Sequence, residues 1–225
     1  MSHLLRLCLL TLGLTGLANA QEAAPAAPAA PAAAPVSYKL DNVKSSLIVK
    51  VFKDPTTLAA GLSHDHAVKA TKWTGAVTWD AANPAACKID FTVPVKDLDP
   101  DPPEARQRAG LTGTLDDGMR AEVKEHILGE DQLEAAKYPT ITFKSTSCAA
   151  ASGKINVTGT FTMHGKSKTL TAPFTVQADG TTFTGKGTFR LKQTDFGFQP
   201  FTALLGQLKN QDGIEFMVDV TGTKG

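Results

Sequence analysis

The feature that most constrains the fold is a period-two alternation of apolar and polar residues through the second half of the chain. Each such segment predicts a strand with one buried face, because successive side chains of a strand point to opposite sides. Turns of hairpin length separate most of the segments, and such short connections make neighbouring strands antiparallel. The segments are residues 141–143, 155–163, 170–176, 183–191 and 214–220.

The first half of the chain contains further segments of this kind. Residues 36–41 and 46–52 predict one strand, or two halves of one strand, and residues 58–70 predict an irregular strand. Residues 72–80 and 87–95 alternate more clearly. About eight strands with short turns favour a barrel over an open sheet, because closure removes exposed edges. The predicted fold class is therefore all-β, an antiparallel eight-stranded barrel.

A charged segment at about residues 97–139 interrupts the strands and predicts a helical insert. Met119, Val123 and Ile127 recur at i, i+4 and i+8, which is one stripe of an amphipathic helix. We expect this helix within residues 116–128, and a short second helix at about residues 130–136.

The N-terminal residues are not expected to belong to the barrel. Residues 1–20 combine a short polar start, a short apolar core and a small-residue cleavage site, which is typical of a secretory signal peptide. A membrane anchor would need roughly 18 or more apolar residues. Residues 21–35 are almost entirely Ala and Pro and predict a disordered tether. We therefore expect a barrel domain at residues 36–225, in a periplasmic or secreted protein without a membrane span.

Charge and motifs exclude several function classes. With 23 basic and 22 acidic residues the chain is nearly neutral, whereas nucleic-acid binding requires a concentrated basic surface. The sequence contains no Gly-x-Ser-x-Gly elbow, phosphate-binding loop or Cys-x-x-Cys pair. We predict that the protein is not an enzyme and has no cofactor, while a bound lipid is compatible with the sequence.

Glycines stand where the alternation predicts large inward side chains. Gly75, Gly159, Gly185 and Gly187 occupy these positions. They could let strands bend at barrel corners or leave room for a ligand, as eight-stranded barrels can. The two explanations are compatible.

Several segments, in order, resemble the YceI family of secreted bacterial lipid-binding proteins, which have a lipocalin-like barrel. They are an early His followed by Trp-Thr-Gly within residues 64–79, Tyr-Pro-Thr-Ile-Thr-Phe ending at residue 143, Gly-Thr-Phe-Thr-Met-His-Gly within residues 154–168, and Thr-Asp-Phe-Gly within residues 190–199. The resemblance implies an apolar channel for a polyisoprenoid or similar long-chain amphiphile, such as a quinone-like lipid. The Asp-Pro-Asp-Pro-Pro loop departs from the family pattern, so the cover of the barrel mouth is expected to differ.

The first function hypothesis is a periplasmic carrier that holds such a molecule inside the barrel. The residues predicted to line the site are large and apolar, and each is also an ordinary core residue. They are Trp73, Trp79, Phe91, Phe143, Phe161, Met163, Phe174, Phe189 and Phe216, with Phe196, Phe198 and Phe201 near the mouth. The sequence leaves open the identity of the ligand and whether the chain forms a homodimer.

The alternative is a non-lipid, stress-protective or metal-binding protein that uses His64 and His66. On a strand, His residues at i and i+2 point the same way and could bind a divalent ion. The sequence places no third ligand beside them, so they are weak candidates and no metal site is predicted. A role in holding a ligand's polar head is the competing interpretation.

Two cysteines remain after removal of the predicted signal peptide, and an even number in an exported chain favours a disulfide. Cys87 begins one strand and Cys148 ends the strand that follows the insert. If these strands pair antiparallel, the two cysteines lie at the same end. The sequence therefore predicts a Cys87–Cys148 bond that closes the base of the insert.

Overall fold

The computed structural model describes residues 34–225, most of which lie in strands. The predicted signal peptide, and all but two residues of the predicted tether, lie outside this range. The strands are β1 (Val36–Leu40), β2 (Ser46–Lys53), β3 (His66–Ala70), β4 (Thr74–Trp79), β5 (Lys88–Pro94), β6 (Leu98–Pro100), β7 (Thr140–Ala151), β8 (Lys154–Met163), β9 (Lys166–Ala178), β10 (Thr182–Lys192), β11 (Thr202–Ala203) and β12 (Leu208–Lys224). Helices α1 (Pro103–Arg108) and α2 (Asp117–Leu128) lie between β6 and β7.

The strands form a closed barrel in which every neighbouring pair is antiparallel. The ring closes because β12 pairs with β10 on one side and with β1 and β2 on the other. A short break divides each of three long strands, so that β1 with β2, β3 with β4, and β5 with β6 occupy one position each. With β7, β8, β9, β10 and β12 these make eight positions, and the predicted fold class is confirmed.

The predicted alternation appears directly as a burial pattern, and β8 is a clear example. Val157, Phe161 and Met163 are buried, whereas Thr160 is exposed to solvent. Burying a side chain such as Val or Phe contributes roughly 1.5–3 kcal/mol. The inward faces of all eight positions supply one continuous apolar core.

The start of the insert differs from the prediction. Residues 98–100, expected to belong to the insert, form β6 and pair with β3. The chain then turns directly into α1, which the alternation analysis did not predict. Pro103 is the first residue of this helix, a position where proline is favoured because its missing N–H would have no helical partner.

Helix α2 lies where the sequence predicted it. The Asp116 side chain caps its N-terminus by accepting a hydrogen bond of 2.8 Å from the Met119 amide. The predicted stripe is correct only in part, since Met119 is 48% exposed. In its place, Arg120 faces the barrel and donates to the Pro100 carbonyl and the Asp99 carboxylate at 3.0 and 2.9 Å.

The second helix predicted at residues 130–136 is wrong, because this segment is a series of turns. Glu134 has a φ of 46°, in the left-handed region that a helix cannot accommodate. The amides of Glu134 and Ala135 donate back to the carbonyls of Gly129 and Leu128. These turns bring the buried side chain of Leu133 against the barrel core.

The predicted disulfide is confirmed. Cys87 immediately precedes β5, Cys148 lies in β7, and the two strands pair antiparallel. The bond joins two Cα atoms 6.0 Å apart across a sequence separation of 61 residues. It therefore closes the loop that contains both helices.

Within residues 34–225, no helix is both long enough and apolar enough to cross a lipid bilayer.

Candidate functional site

The barrel encloses an apolar chamber, here called the inner chamber. The volume within which the centre of a water-sized sphere can lie is about 120 Å³. Its wall consists of aliphatic and aromatic side chains together with Gly185, and residues from most barrel strands contribute. The indole N–H of Trp73, a buried residue of this wall, has no hydrogen-bond partner among the described residues. Apolar cavities of this kind remain dry, because water would find too few polar partners.

A second chamber, here called the mouth chamber, lies between the barrel and the insert. It leaves about 150 Å³ open to the centre of a water-sized molecule. Val123, His126 and Ile127 of α2 line it, as does Leu133 of the turns that follow. Helix α2 therefore covers this end of the barrel interior.

The two chambers adjoin. Five residues line both of them: Val49, Val68, Leu98, Ile141 and Phe216. A long molecule could occupy both chambers if these side chains moved apart. The inner chamber would then hold its apolar part, and the mouth chamber the end nearest the insert.

Most of the residues predicted from sequence lie in the chamber walls. The inner chamber is lined by Trp73, Phe91, Phe143, Phe161, Phe174, Phe189 and Phe216, and the mouth chamber by Met163, Phe198, Phe201 and again Phe216. Trp79 and Phe196 line neither chamber. Trp79 packs edge-on against Phe183, and the fully buried Phe196 packs edge-on against Phe161. As ligand contacts, all of these residues stay predictions.

The inward glycines do not simply leave empty space. A Cβ atom added to Gly159 would lie 2.5 Å from Phe143 Cζ, and one added to Gly187 would lie 2.7 Å from Phe174 Cδ1. At both positions a phenylalanine ring occupies the space that a side chain would need. Gly185 differs, because it lines the inner chamber.

A buried ionic cluster joins the insert to β3. The Asp101 side chain is fully buried, and its carboxylate accepts hydrogen bonds from His66 Nδ1 at 2.7 Å, the Ala67 amide at 2.9 Å and Arg106 at 2.8 Å. Burial alone would raise the pKa of Asp101, but the bonds from His66, Ala67 and Arg106 outweigh it and hold the pKa below its ordinary value. The carboxylate is therefore ionised at neutral pH.

Arg106 is the insert's half of this cluster. Besides Asp101, its guanidinium donates to the carbonyls of Asp65, Thr112 and Gly113 at 3.1, 2.6 and 2.9 Å. A buried charge that is paired and fully hydrogen-bonded is tolerated, whereas removing one partner is strongly destabilising. The cluster therefore fixes α1 and the following loop against the barrel.

The two candidate histidines have different environments. His66 begins β3 and lines the mouth chamber, while His64 precedes the strand and is exposed. Burial, and then the nearby His66 and Arg106, lower the pKa of His64. The part of the chain that the structure describes contains no group of three or more His, Cys, Asp or Glu side chains placed to hold a metal ion.

Sequence reasoning missed the polar residues of the mouth chamber. Gln132, Gln193 and Asn210 line it together with His66 and His126. Gln132 lies in the turns after α2, Gln193 directly follows β10, and Asn210 is near the start of β12. Nothing in their spacing indicates a shared site, because the barrel topology alone brings them together. Asp101 was also missed, since the Asp-Pro-Asp-Pro-Pro segment was predicted only as a loop.

A closed antiparallel barrel with an apolar chamber and a covered mouth defines a class of protein: the small β-barrels whose interior can hold a ligand. Within this class the chain belongs to the YceI-like family, because a family model for the YceI-like domain matches residues 38–221. The resemblance found in the sequence is confirmed.

Curated relatives share moderate identity with this chain. A UPF0312 protein of Vibrio cholerae is 32% identical over 136 residues, covering 57% of this chain and 62% of that protein. A UPF0312 protein of Pseudomonas syringae is 28% identical over 171 residues, covering 73% of this chain and 70% of that protein. The chain thus matches less than two thirds of the length of the Vibrio relative.

Solved structures share the fold. BcnA of Burkholderia cenocepacia superposes with a TM-score of 0.60 at 24% identity, covering 82% of this chain and 99% of BcnA. A mutant YceI protein of Campylobacter jejuni, solved with a monobromobimane guest, superposes with a TM-score of 0.53 at 20% identity. The match covers 70% of this chain and 84% of the Campylobacter chain. At these identities the likeness concerns the fold alone.

Proposed function

We propose that this protein binds a long-chain apolar or amphiphilic molecule in the barrel interior and carries it in the periplasm. A polyisoprenoid or a quinone-like lipid is the proposed ligand class. The observation that carries the proposal is the inner chamber, whose apolar wall adjoins a mouth chamber with polar side chains. An apolar chain fits the first environment and a polar end group the second.

The energetic cost of the inner chamber supports this proposal. Protein interiors are close-packed, and voids larger than a water molecule are few. At about 24 cal/mol per Å³ of cavity, the 120 Å³ of the inner chamber costs about 3 kcal/mol when it is empty. A bound apolar chain would recover this energy through contacts with the wall.

Binding is proposed instead of catalysis. The Asp101–His66 pair has the geometry of a general base, but such a pair needs a nucleophile to activate. The described wall of the mouth chamber contains no Ser, Thr or Cys. No cofactor forms part of the proposal. The Cys87–Cys148 disulfide supports an extracytoplasmic location, since such bonds persist in oxidising compartments.

The first test is extraction of the protein after purification from its native periplasm without detergent. Organic extraction followed by mass spectrometry should yield one stoichiometric lipid of several hundred daltons. A clean, empty extract from natively folded protein, together with no uptake of added lipid, would contradict the proposal.

The two tryptophans offer an internal control for uptake. In a Trp79→Phe variant the remaining indole belongs to Trp73, which lines the inner chamber, so its emission should shift when a long-chain lipid is added. In a Trp73→Phe variant the remaining Trp79 lines neither chamber, and its emission should change little. Equal responses in both variants would indicate binding outside the barrel.

A further inference from the structure

Four leucine side chains lie exposed on two neighbouring loops of the barrel. Among residues 34–225, six large hydrophobic residues are exposed to solvent, and four of them belong to these loops. Leu58 and Leu62 lie between β2 and β3, and Leu204 and Leu205 lie between β11 and β12. Leu58 is 90% exposed, and Leu205 is fully exposed. These four residues are called the leucine tips below.

Hydrogen bonds hold the two loops beside each other. The Ala59 amide donates to the Gln207 carbonyl, and the Asp54 amide to the Lys209 carbonyl, both at 2.8 Å. Phe201, directly before β11, lines the mouth chamber. The leucine tips therefore belong to one surface, at the mouth end of the barrel.

The backbone at Leu204 and Leu205 is unusual for leucine. Their φ angles are 50° and 56°, in the left-handed region where a Cβ is unfavourable and Gly or Asn is the more common residue. Both side chains are exposed, so neither contributes to the core. The fold therefore gains nothing from leucine at these positions, which indicates that the side chains serve a contact outside the chain.

Both loops lack charged side chains. Residues 55–64 and 199–208 contain no Asp, Glu, Lys or Arg, although 20% of the chain is charged. The charged residues that flank them, two basic and two acidic, are Lys53, Asp54, Asp65 and Lys209. This surface can enter an apolar environment without burying a charge. It also carries no excess of basic residues that would attract anionic lipids.

The apolar area is small for a protein partner. An aromatic side chain buries about 150–250 Å² and leucine is smaller, so four leucines supply at most about 600 Å². Each partner of a standard protein interface buries about 800 Å². The hot spots of such interfaces are rich in Trp, Tyr and Arg and poor in Leu, and residues 55–64 and 199–208 contain no Trp, Tyr or Arg. Leucine is, in contrast, typical of surfaces that lie in the boundary layer of a bilayer.

We propose that the leucine tips dock the protein on the surface of a lipid bilayer. The four side chains enter the boundary between head groups and acyl chains, and the mouth end of the barrel faces the membrane. Because the loops are uncharged, docking needs no anionic lipid and is insensitive to salt. None of these observations involves a bound ligand, so docking goes beyond the proposed function and can be tested separately from it.

The test is flotation of the protein with vesicles of pure phosphatidylcholine, at low and at high salt. The parent protein should float equally at both. In a Leu204→Asn/Leu205→Asn variant the affinity for vesicles should fall about tenfold or more, the factor expected when even one leucine is no longer buried. Asn adopts left-handed backbone readily, so the variant should keep the urea midpoint of the parent protein. The control is Val43→Asn, also highly exposed but at the opposite end of β2 from Leu58, which should bind like the parent.

A tryptophan reporter gives a second measurement that does not depend on the double variant. In Leu205→Trp the added emission should shift to the blue with vesicles and be quenched by brominated phosphatidylcholine. In Val43→Trp the added emission should stay unchanged, because this position lies away from the leucine tips.

Several results would overturn the docking proposal. They are the absence of flotation by the parent protein, equal flotation by the Leu204→Asn/Leu205→Asn variant, an unchanged Leu205→Trp emission, and binding seen only with phosphatidylglycerol vesicles and lost at high salt. A parent dimer in sedimentation velocity that dissociates in the variant would also overturn it, because the leucines would then cover a second copy of the chain. An empty organic extract bears on the proposed function alone, since vesicle docking requires no molecule inside the barrel.

Discussion

Two inward glycines should respond very differently to the same substitution, Gly→Ala, with a clear loss of stability at one and little change at the other. Gly159 on β8 and Gly185 on β10 are both buried, and the alternation gives them equivalent roles. Their surroundings differ. At Gly159 the space for a Cβ is filled by neighbouring atoms, whereas Gly185 borders the inner chamber.

The magnitudes follow from the contacts that each new methyl group would make. The Cβ of Gly159→Ala would lie 2.5 Å from the Lys144 carbonyl oxygen and 2.5 Å from Phe143 Cζ. The ring can rotate, but the carbonyl belongs to the strand backbone, so two paired strands must separate by at least the difference between 2.5 and 3.0 Å. Overpacking of this kind costs about 1–3 kcal/mol, and the rigid backbone contact places Gly159→Ala at the upper end of this range.

Gly185→Ala meets only side-chain atoms. Its Cβ would lie 3.3 Å from Phe183 Cε1 and 3.3 Å from Val220 Cγ2, so each neighbour must move by a few tenths of an ångström. Alanine also restricts the unfolded chain, which stabilises the folded state by roughly 0.4–1 kcal/mol. The two effects should nearly cancel.

Urea unfolding of both variants, with the disulfide intact, measures the difference directly. We expect Gly159→Ala to lower the free energy of unfolding by about 2–3 kcal/mol, which corresponds to roughly 5–10 °C in Tm for a chain of this size. Gly185→Ala should stay within about 0.5 kcal/mol of the parent protein. Equal losses in the two variants, or a neutral Gly159→Ala, would refute the conclusion that aromatic rings fill the space beside Gly159.

Three further perturbations test the attachment of the insert. Replacing Cys87 and Cys148 by Ser should lower the free energy of unfolding by about 4 kcal/mol, since the closed loop spans 61 residues; a loss below about 1 kcal/mol in equilibrium denaturation would contradict the loop-entropy account. Asp101→Asn leaves Arg106 buried without its counter-charge and should cost about 3–5 kcal/mol at pH 7. The folded-state pKa of Asp101 is lowered, so the contribution of its charge to stability is complete above the unfolded value of 3.8 and is lost as the pH falls below that value. The stabilities of parent and variant should therefore converge in acid. A difference that persisted in acid would argue against this assignment. Arg120→Met should speed amide hydrogen exchange in α2 about tenfold while barrel amides are unaffected, and uniform acceleration would mean that α2 and the barrel open together.

The sequence predicts the barrel well because a strand's burial pattern is local. The alternation of residues 155–163 corresponds to β8 almost residue for residue, and the burial pattern follows it. The disulfide was also predictable, because the position of each cysteine relative to its strand was enough to place both at one end. Both predictions need only the period of the apolar residues and the direction in which each strand runs.

The insert was less predictable because long-range contacts decide its structure. Residues 130–136 are good helix formers, yet packing of Leu133 into the core and the left-handed backbone at Glu134 override this preference. Arg120 takes the barrel-facing position that the pattern assigned to Met119, since its partners Asp99 and Pro100 lie on β6. A pattern of apolar residues carries no information about such polar partners.

The site combines both situations. Its apolar residues were predicted correctly because the alternation marks the inward positions of each strand. The contrast between Gly159 and Gly185 was not predicted, because it depends on which aromatic ring lies across the strand pair. The polar wall of the mouth chamber depends on residues from distant elements and on the direction in which each amide is held. No single segment contains that information.

The Asp101 cluster links the stability of the insert to the chemistry of the mouth chamber. The same carboxylate holds Arg106 of α1, and thereby the insert, and orients His66 at the chamber wall. One carboxylate oxygen accepts from Arg106 and the Ala67 amide, while the other lies 2.7 Å from His66 Nδ1. Any change at Asp101 that releases the insert would therefore also release the imidazole ring of His66. The attachment of the insert and the orientation of His66 at the chamber wall therefore both depend on one buried carboxylate.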